Sequence, residues 1–294
     1  MKPGEFTYHR PRTLAEALEL YANSADARIL AGGQSLIPLM SMRLATPQAI
    51  IDINQIEELA TISANDQGVR FGGIVRHSEL LNSTTVGAIQ PLIPHTLAHV
   101  ANPTIRNRGT TVGSIVHADA AGEMPMVFAL LGGKLTAQSV RGQRTIGADD
   151  LFIGALDTSL AQDEIATEVF LPALAPGHGV AFEEVARRTG DYALCAVGAL
   201  VGVDSQGAIT TVKTGYVSVA DIPVVVNHTE CFPNGECSPE NLEASGENAL
   251  QFLDPTSDVH ASARYRQHLV KVLTQRAIQA AYDHAVKANE KGGS

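Results

Sequence analysis

The sequence predicts an α+β protein built in three units. Three observations carry this reading. The first 55 or so residues alternate strand and helix patterns, as a parallel α/β unit does. The next stretch carries hairpin signals among short helices. Beyond a proline- and glycine-bearing boundary, residues 172–179, three strand patterns precede two helix patterns.

In chain order, Phe6–Tyr8 reads as a short strand. Thr13-Leu14-Ala15-Glu16 is a capping-box pattern, with a hydroxyl and a carboxylate three residues apart to cover exposed N–H groups. Leu14, Ala17, Leu18 and Tyr21 follow at helical spacing. A strand to Leu30, a turn, a segment to Leu44 and a buried-type strand at Ala49–Ile53 complete the first unit. Asn65-Asp66-Gln67-Gly68 between apolar runs is a hairpin signal. Helices are predicted at His77–Asn82, Gln90–Val100 and Glu123–Leu131, the last with Met126, Val127 and Leu130 on one face. A polar loop is predicted from Asn102 to Ser114. Strands are predicted at Lys134–Val140, Arg144–Ile146 and Ile165–Leu171. Past the boundary come strands at Val180–Arg187, Ala193–Val203 and Ala208–Val219, an irregular stretch at Pro223–Pro239, and helices at Leu242–Phe252 and Ala263–Val286. In the last helix Tyr265, Leu269, Val272, Leu273 and Ala280 form the apolar stripe. The domain expectation is therefore 1–175 (subdomains 1–55 and 56–175), 178–288, and a disordered tail at 289–294.

Composition removes several function classes. The 294-residue chain carries 21 Lys+Arg against 31 Asp+Glu, net −10, which argues against binding nucleic acid through a general basic field. There is no tryptophan and aromatics are 5%, so base-stacking platforms are scarce. The three cysteines, Cys195, Cys231 and Cys237, contain no Cys-x-x-Cys pair, so neither a disulfide framework nor a zinc or iron–sulfur site is expected. No apolar segment is long enough to span a bilayer, and no signal-peptide pattern opens the chain. A cytoplasmic protein with no metal site of its own is the expectation.

Two stretches carry chemistry. Ile29-Leu30-Ala31-Gly32-Gly33-Gln34-Ser35-Leu36 is an apolar strand end, two adjacent glycines and a helix start. Glycines let backbone amides approach an anion closely. The second stretch is Asn107-Arg108-Gly109-Thr110-Thr111-Val112-Gly113-Ser114. Together the two predict a grip on one phosphate-bearing cofactor. A tight structural turn and helix capping by Ser35 and Ser114 are the competing roles. Arg106 and Arg108 are open between a phosphate contact and a subunit contact.

The chain resembles the FAD-binding medium subunits of the molybdenum hydroxylases, the group of xanthine, aerobic carbon monoxide and N-heterocycle dehydrogenases. The resemblance runs through Phe6–Pro11, Ala31–Met40, Asn102–Thr110, His117-Ala118-Asp119, Ala181–Arg188 and the helix after Tyr265-Arg266, in the family's order and over nearly the whole chain. It implies a two-subdomain FAD-binding domain of the vanillyl-alcohol oxidase / p-cresol methylhydroxylase type. A C-terminal domain with a three-stranded antiparallel sheet and helices follows. It further implies that Ile29, Leu30, Ala31, Gly32, Gly33, Gln34, Ser35 and Leu36 form one FAD loop, and that Thr110, Thr111, Gly113 and Ser114 form the other. His117 and Glu123 would lie near the ADP part, Glu123 as a ribose-binding acid, with Asp119 shaping the loop. Tyr192 would cover the isoalloxazine. No catalytic side chain is assigned to this chain. A molybdopterin-binding large subunit and a small subunit with [2Fe–2S] clusters are the implied partners, as a dimer of heterotrimers. In that assembly this chain passes electrons from the clusters through FAD to an external acceptor.

The sequence departs from the family pattern twice. Val112 stands where the second loop usually has glycine, and Ala120 where proline is common. If that glycine supplies positive φ, valine replaces it poorly, and the loop would have to be extended or present its amide differently. Two rival readings remain: a free-standing FAD oxidoreductase, and a flavin-free scaffold subunit motivated by Val112. Gly33→Val is expected to place a side chain where phosphate sits.

Overall fold

The computed structural model describes residues 2–292. The first unit comprises β1 (Thr7–His9), α1 (Leu14–Asn23), β2 (Ala27–Leu30), α2 (Leu36–Ser41) and β3 (Ala49–Asp52). Its three strands are parallel in the order β1-β3-β2. The central strand is buried at every position, which is why Ala49-Ile50-Ile51 reads as an unbroken apolar run. The Thr13 hydroxyl accepts from the Glu16 amide at 3.2 Å. The Glu16 carboxylate reaches the Arg12 amide at 3.0 Å, one residue before the position a capping box predicts.

The second unit contains β4 (Ile62–Asn65), β5 (Gly68–Gly72), α3 (His77–Asn82), α4 (Thr84–Ile89), α5 (Leu92–Leu97), α6 (Pro103–Arg106), α7 (Thr111–His117), α8 (Glu123–Leu130), β6 (Lys134–Ser139), β7 (Gly142–Gly147), α9 (Ala148–Leu151), β8 (Phe152–Gly154), β9 (Asp157–Thr158) and β10 (Ile165–Pro172). Five of these strands make an antiparallel sheet in the order β4-β5-β10-β6-β7. Two predictions change here. The loop expected from Asn102 to Ser114 contains α6 and the first turn of α7, because Asn102 caps one and Thr110 begins the other. The helix expected to bury one face, α8, buries seven of its eight residues.

The third unit explains that burial. It comprises β11 (His178–Ala186), β12 (Ala193–Val203), β13 (Ile209–Val217), β14 (Val224–Asn227), α10 (Pro239–Ala249) and α11 (Ala263–Gly292). The sheet is antiparallel in sequential order and has four strands, not the predicted three. Val224–Asn227 lay in a stretch read as irregular because Pro223 and the Pro233-Asn234-Gly235 turn bracket a run too short to show alternation. Helix α8 lies against this sheet: a Cβ on Gly198 or Gly215 would come within 2.8 Å of Met126. One apolar core therefore joins Val69, Phe71 and Phe128 to Phe182, Ala196 and Val217 across the second and third units.

The long helix covers the other face with Leu269, Val270, Leu273, Ala277, Ile278 and Ala281. Tyr265, placed on its apolar stripe by spacing, is exposed; the buried neighbour is Arg266, which donates to the Leu194 and Ser218 carbonyls at 2.5 and 2.9 Å. The helix continues through residues 289–292, where the sequence reading has a disordered tail; Gly293 and Ser294 lie outside the described residues. Gly179 lets β11 touch this helix directly, since a Cβ there would overlap the Ala281 carbonyl and the Ala285 backbone. Gly179→Ala is expected to destabilise the full chain by about 1–3 kcal/mol through overpacking, read as a lower urea midpoint at unchanged m-value.

Candidate functional site

The first loop leaves β2 at Leu30 and enters α2 at Leu36. Gly33 takes φ +70°, a conformation that disfavours a side chain. A Cβ at Gly33 would point at Leu30 and Ile37 rather than outward. Gly33→Val is thus disruptive through backbone strain and local crowding as well as through any occlusion of a phosphate. Ser35 precedes α2 without making a side-chain cap bond, so the capping role does not occupy its hydroxyl.

The second loop is held from below. The His77 amide donates to the Gly109 carbonyl at 3.0 Å and the Thr111 amide to the Val75 carbonyl at 3.1 Å. The His77 ring pairs with the Thr111 hydroxyl at 2.9 Å, and burial pushes the imidazole down to about 4, keeping it neutral. His77 is therefore a core residue that supports the loop. Val112 is helical and buried at 2% exposure, so neither expected consequence of the missing glycine arises. The position needs no positive φ, and its side chain fills the core beside Ile115. A Cβ on Gly113 would come within 2.5 Å of the Thr110 hydroxyl, and that buried hydroxyl has no partner among the described residues.

The two loops meet. A Cβ on Gly32 would fall 2.7 Å from the Gly109 Cα and the Thr110 N, and 2.8 Å from the Arg108 carbonyl oxygen. Beside this contact opens a cleft of about 650 Å³, lined by Ala31, Gly32, Asn54, Arg76, Thr104, Asn107 and Arg108. That size suits a small-molecule cofactor. The structure also separates the two arginines the sequence left open. Arg106 donates to the Val100 and Ala101 carbonyls at 2.7 and 3.0 Å and holds its own loop, whereas Arg108 is exposed on the cleft. Sequence reading missed Asn54, Arg76 and Thr104; Asn107 opens the second stretch that it singled out. The available signal for Arg76 was one charge ending the apolar run Ile74-Val75; Asn54 showed only as an Asx residue after β3.

His117 ends α7, roughly 10 Å along its axis from the second loop, and beyond it Glu123 and Tyr192 lie near Asp119. Ala118 closes that helix at φ +52°, and the Asp119 carboxylate accepts from the Ala121 amide at 2.9 Å, which is the loop-shaping role expected of it. Glu123 is 6% exposed at the start of α8. Burial lifts its carboxyl to about 7, Glu184 and Asp119 adding to the rise and His99 opposing it. Tyr192 is exposed, with Asp119 and Glu123 as its charged neighbours. The predicted site residues thus fall in two places, the cleft between the loops and the far end of α7. Their donors are backbone amides, hydroxyls and arginines. No group of three metal-ligating side chains occurs among the described residues.

This donor set fits the anionic part of a dinucleotide held between two units. Comparison with known proteins agrees. The family model described as the FAD binding domain in molybdopterin dehydrogenase matches residues 4–174, and that of the CO dehydrogenase flavoprotein C-terminal domain matches residues 180–281. The chain belongs to the family of FAD-binding medium subunits of the molybdenum hydroxylases. It is 42% identical over 279 residues to the nicotine 6-hydroxylase medium subunit of Paenarthrobacter nicotinovorans, covering 95% of this chain and 98% of the relative. A solved structure of quinoline 2-oxidoreductase from Pseudomonas putida 86 superposes with a TM-score of 0.90 at 34% identity, covering 97% of this chain and 99% of that one. Carbon monoxide dehydrogenase from Hydrogenophaga pseudoflava gives the same TM-score at 30% identity, with coverages of 97% and 99%.

The buried Glu123 yields a pH prediction. Its folded pKa is raised, so its contribution to stability is complete below the ordinary carboxylate pKa and is lost as pH rises through about 7. At 1.36 kcal/mol per unit, Glu123→Gln should remove up to roughly 3 kcal/mol of the decline in unfolding free energy between pH 4.5 and 8. Urea titrations of wild type and variant across that range measure the difference.

Proposed function

We propose that this chain holds FAD across the two loops and serves as the electron-transfer flavoprotein of a molybdenum hydroxylase. The observation carrying the site assignment is the backbone-to-backbone meeting of Gly32 with Gly109-Thr110 beside one cleft that also presents Arg76 and Arg108. Ala31 to Ser35 and the amides of Val112 and Gly113, with the Ser35 and Ser114 hydroxyls, supply donors for the pyrophosphate, while Thr111 is held to Val75 and His77 beneath them. An overall charge of −10 makes local donors necessary for an anionic ligand. Arg108 adds a charge-assisted contact. His117 and the buried Glu123 hydrogen-bond beyond the phosphates, and Tyr192 shields the flavin ring from one side.

Bound FAD supplies the ability to take electrons singly and release them in pairs. The protein binds it, orients it and controls what reaches it. Electrons arrive from [2Fe–2S] clusters on a small subunit and leave to an external acceptor; a molybdopterin-binding large subunit oxidises the substrate. The medium-subunit relatives support this division of labour. The three chains assemble as a dimer of heterotrimers, a heterohexamer, in the cytoplasm. Among the described residues no helix is long and apolar enough to cross a membrane. The scaffold alternative loses its motivation, because Val112 sits in a helix rather than in a loop that needs glycine.

Purified protein should show flavin absorbance, and a tagged chain should co-purify with two further chains bearing molybdenum and iron. Absence of flavin after incubation with FAD, or full dehydrogenase activity of the chain alone, would overturn the proposal. Arg108→Ala should weaken FAD binding roughly tenfold, measured by titrating the full chain with FAD and following flavin fluorescence.

A further inference from the structure

We infer that Arg76 is a positioning residue that sets the spacing of the two cofactor loops through Asn54. The inference rests on the proposed FAD site and deepens it. Arg76 sits between β5 and α3, outside both loops in sequence. Its Nη1 donates to the Arg108 carbonyl at 2.5 Å, and its Nη2 donates to Asn54 Oδ1, also at 2.5 Å. Asn54 turns the same connection toward the first loop: its amide nitrogen donates to the Ala31 carbonyl at 2.8 Å and to Asp52 at 2.6 Å. Asp52 in turn accepts from the Tyr8 hydroxyl. A continuous polar chain therefore runs from β1 and β3 of the first unit to the second loop.

The chain crosses where spacing has least tolerance. Gly32 already lies against Gly109 and Thr110 with no room for a methyl group, so the loops cannot close further. At the cleft side the Arg76 fork links the second loop to Asn54, and such a link resists opening. The guanidinium is half-buried, its pKa lowered by that burial, and it forms no ion pair within 4 Å among the described residues. Both arms go to neutral acceptors on different units. A planar guanidinium spans two such acceptors at once; a lysine ammonium provides one point of attachment on a flexible stem.

The test uses the full chain, stripped of flavin and titrated with FAD. Arg76→Lys keeps the charge and loses the fork, so it should raise the FAD Kd at least about tenfold, as Arg76→Ala does. Asn54→Ala should give a similar loss, and the Arg76→Ala with Asn54→Ala double variant should lose no more than the larger single loss. The Tm of the flavin-free variants should stay within about 3 °C of wild type, separating positioning from general support of the fold. Should Arg76→Ala not yield folded protein, Arg76→Lys and Asn54→Ala carry the same comparison. Wild-type affinity in Arg76→Lys, additive losses in the double variant, or a Tm that falls in step with affinity would each overturn the inference while leaving the FAD site standing. No FAD binding by wild type would overturn the site and the tie together.

Discussion

The contact on which the site depends is the one between the Gly32 backbone and the backbone of residues 108–110. Two segments separated by more than 70 positions come close enough that an added methyl group would overlap main chain. Such proximity brings two sets of amides to one place, which no single turn does. It also fixes requirements elsewhere. The second loop must rest on a firm base, and His77 under Gly109 and Thr111 gives it one, neutral and buried. The first must stay level with it, and the chain through Asn54 and Arg76 spans that gap.

The same logic extends along α7. At one end are Thr110 and the Gly32 contact; at the other are Ala118 in the left-handed region and the carboxylates of Asp119 and Glu123. The third unit does not stand apart from these residues. Its sheet receives α8 through Gly198 and Gly215, where Met126 fills the space two side chains would need. That packing buries Glu123, and burial raises its pKa. The acid that the family resemblance assigns to a ribose thus has its pKa lifted to about 7 by where α8 lies.

Much of the fold was legible because its signals are local. Thr13 with Glu16, the turn at Asn65–Gly68 and the alternation in Ile165–Leu171 involve residues within one element. The missed elements were those whose signal is short or set by neighbours. Val224–Asn227 is a strand because β13 presents an edge to it. The first turn of α7 was masked by a glycine and a polar run that resemble a loop. Arg266 rather than Tyr265 is buried because the Leu194 carbonyl of β12 and the Ser218 carbonyl just after β13 offer the guanidinium acceptors that spacing alone does not reveal.

By itself the sequence determined the class of fold, the two candidate cofactor loops and, through its resemblance to a family, FAD as the expected cofactor. Glycines and small polar residues write these features directly, since close backbone approach tolerates little else. Only the tertiary structure decided that Val112 is a core residue, that Arg106 is committed to its own loop while Arg108 faces the cleft, and that Asn54 and Arg76 line that cleft. Hydrogen bonds from Arg76 to positions 22 and 32 residues away leave no periodic trace in a chain. Their partners are chosen by how the two units meet.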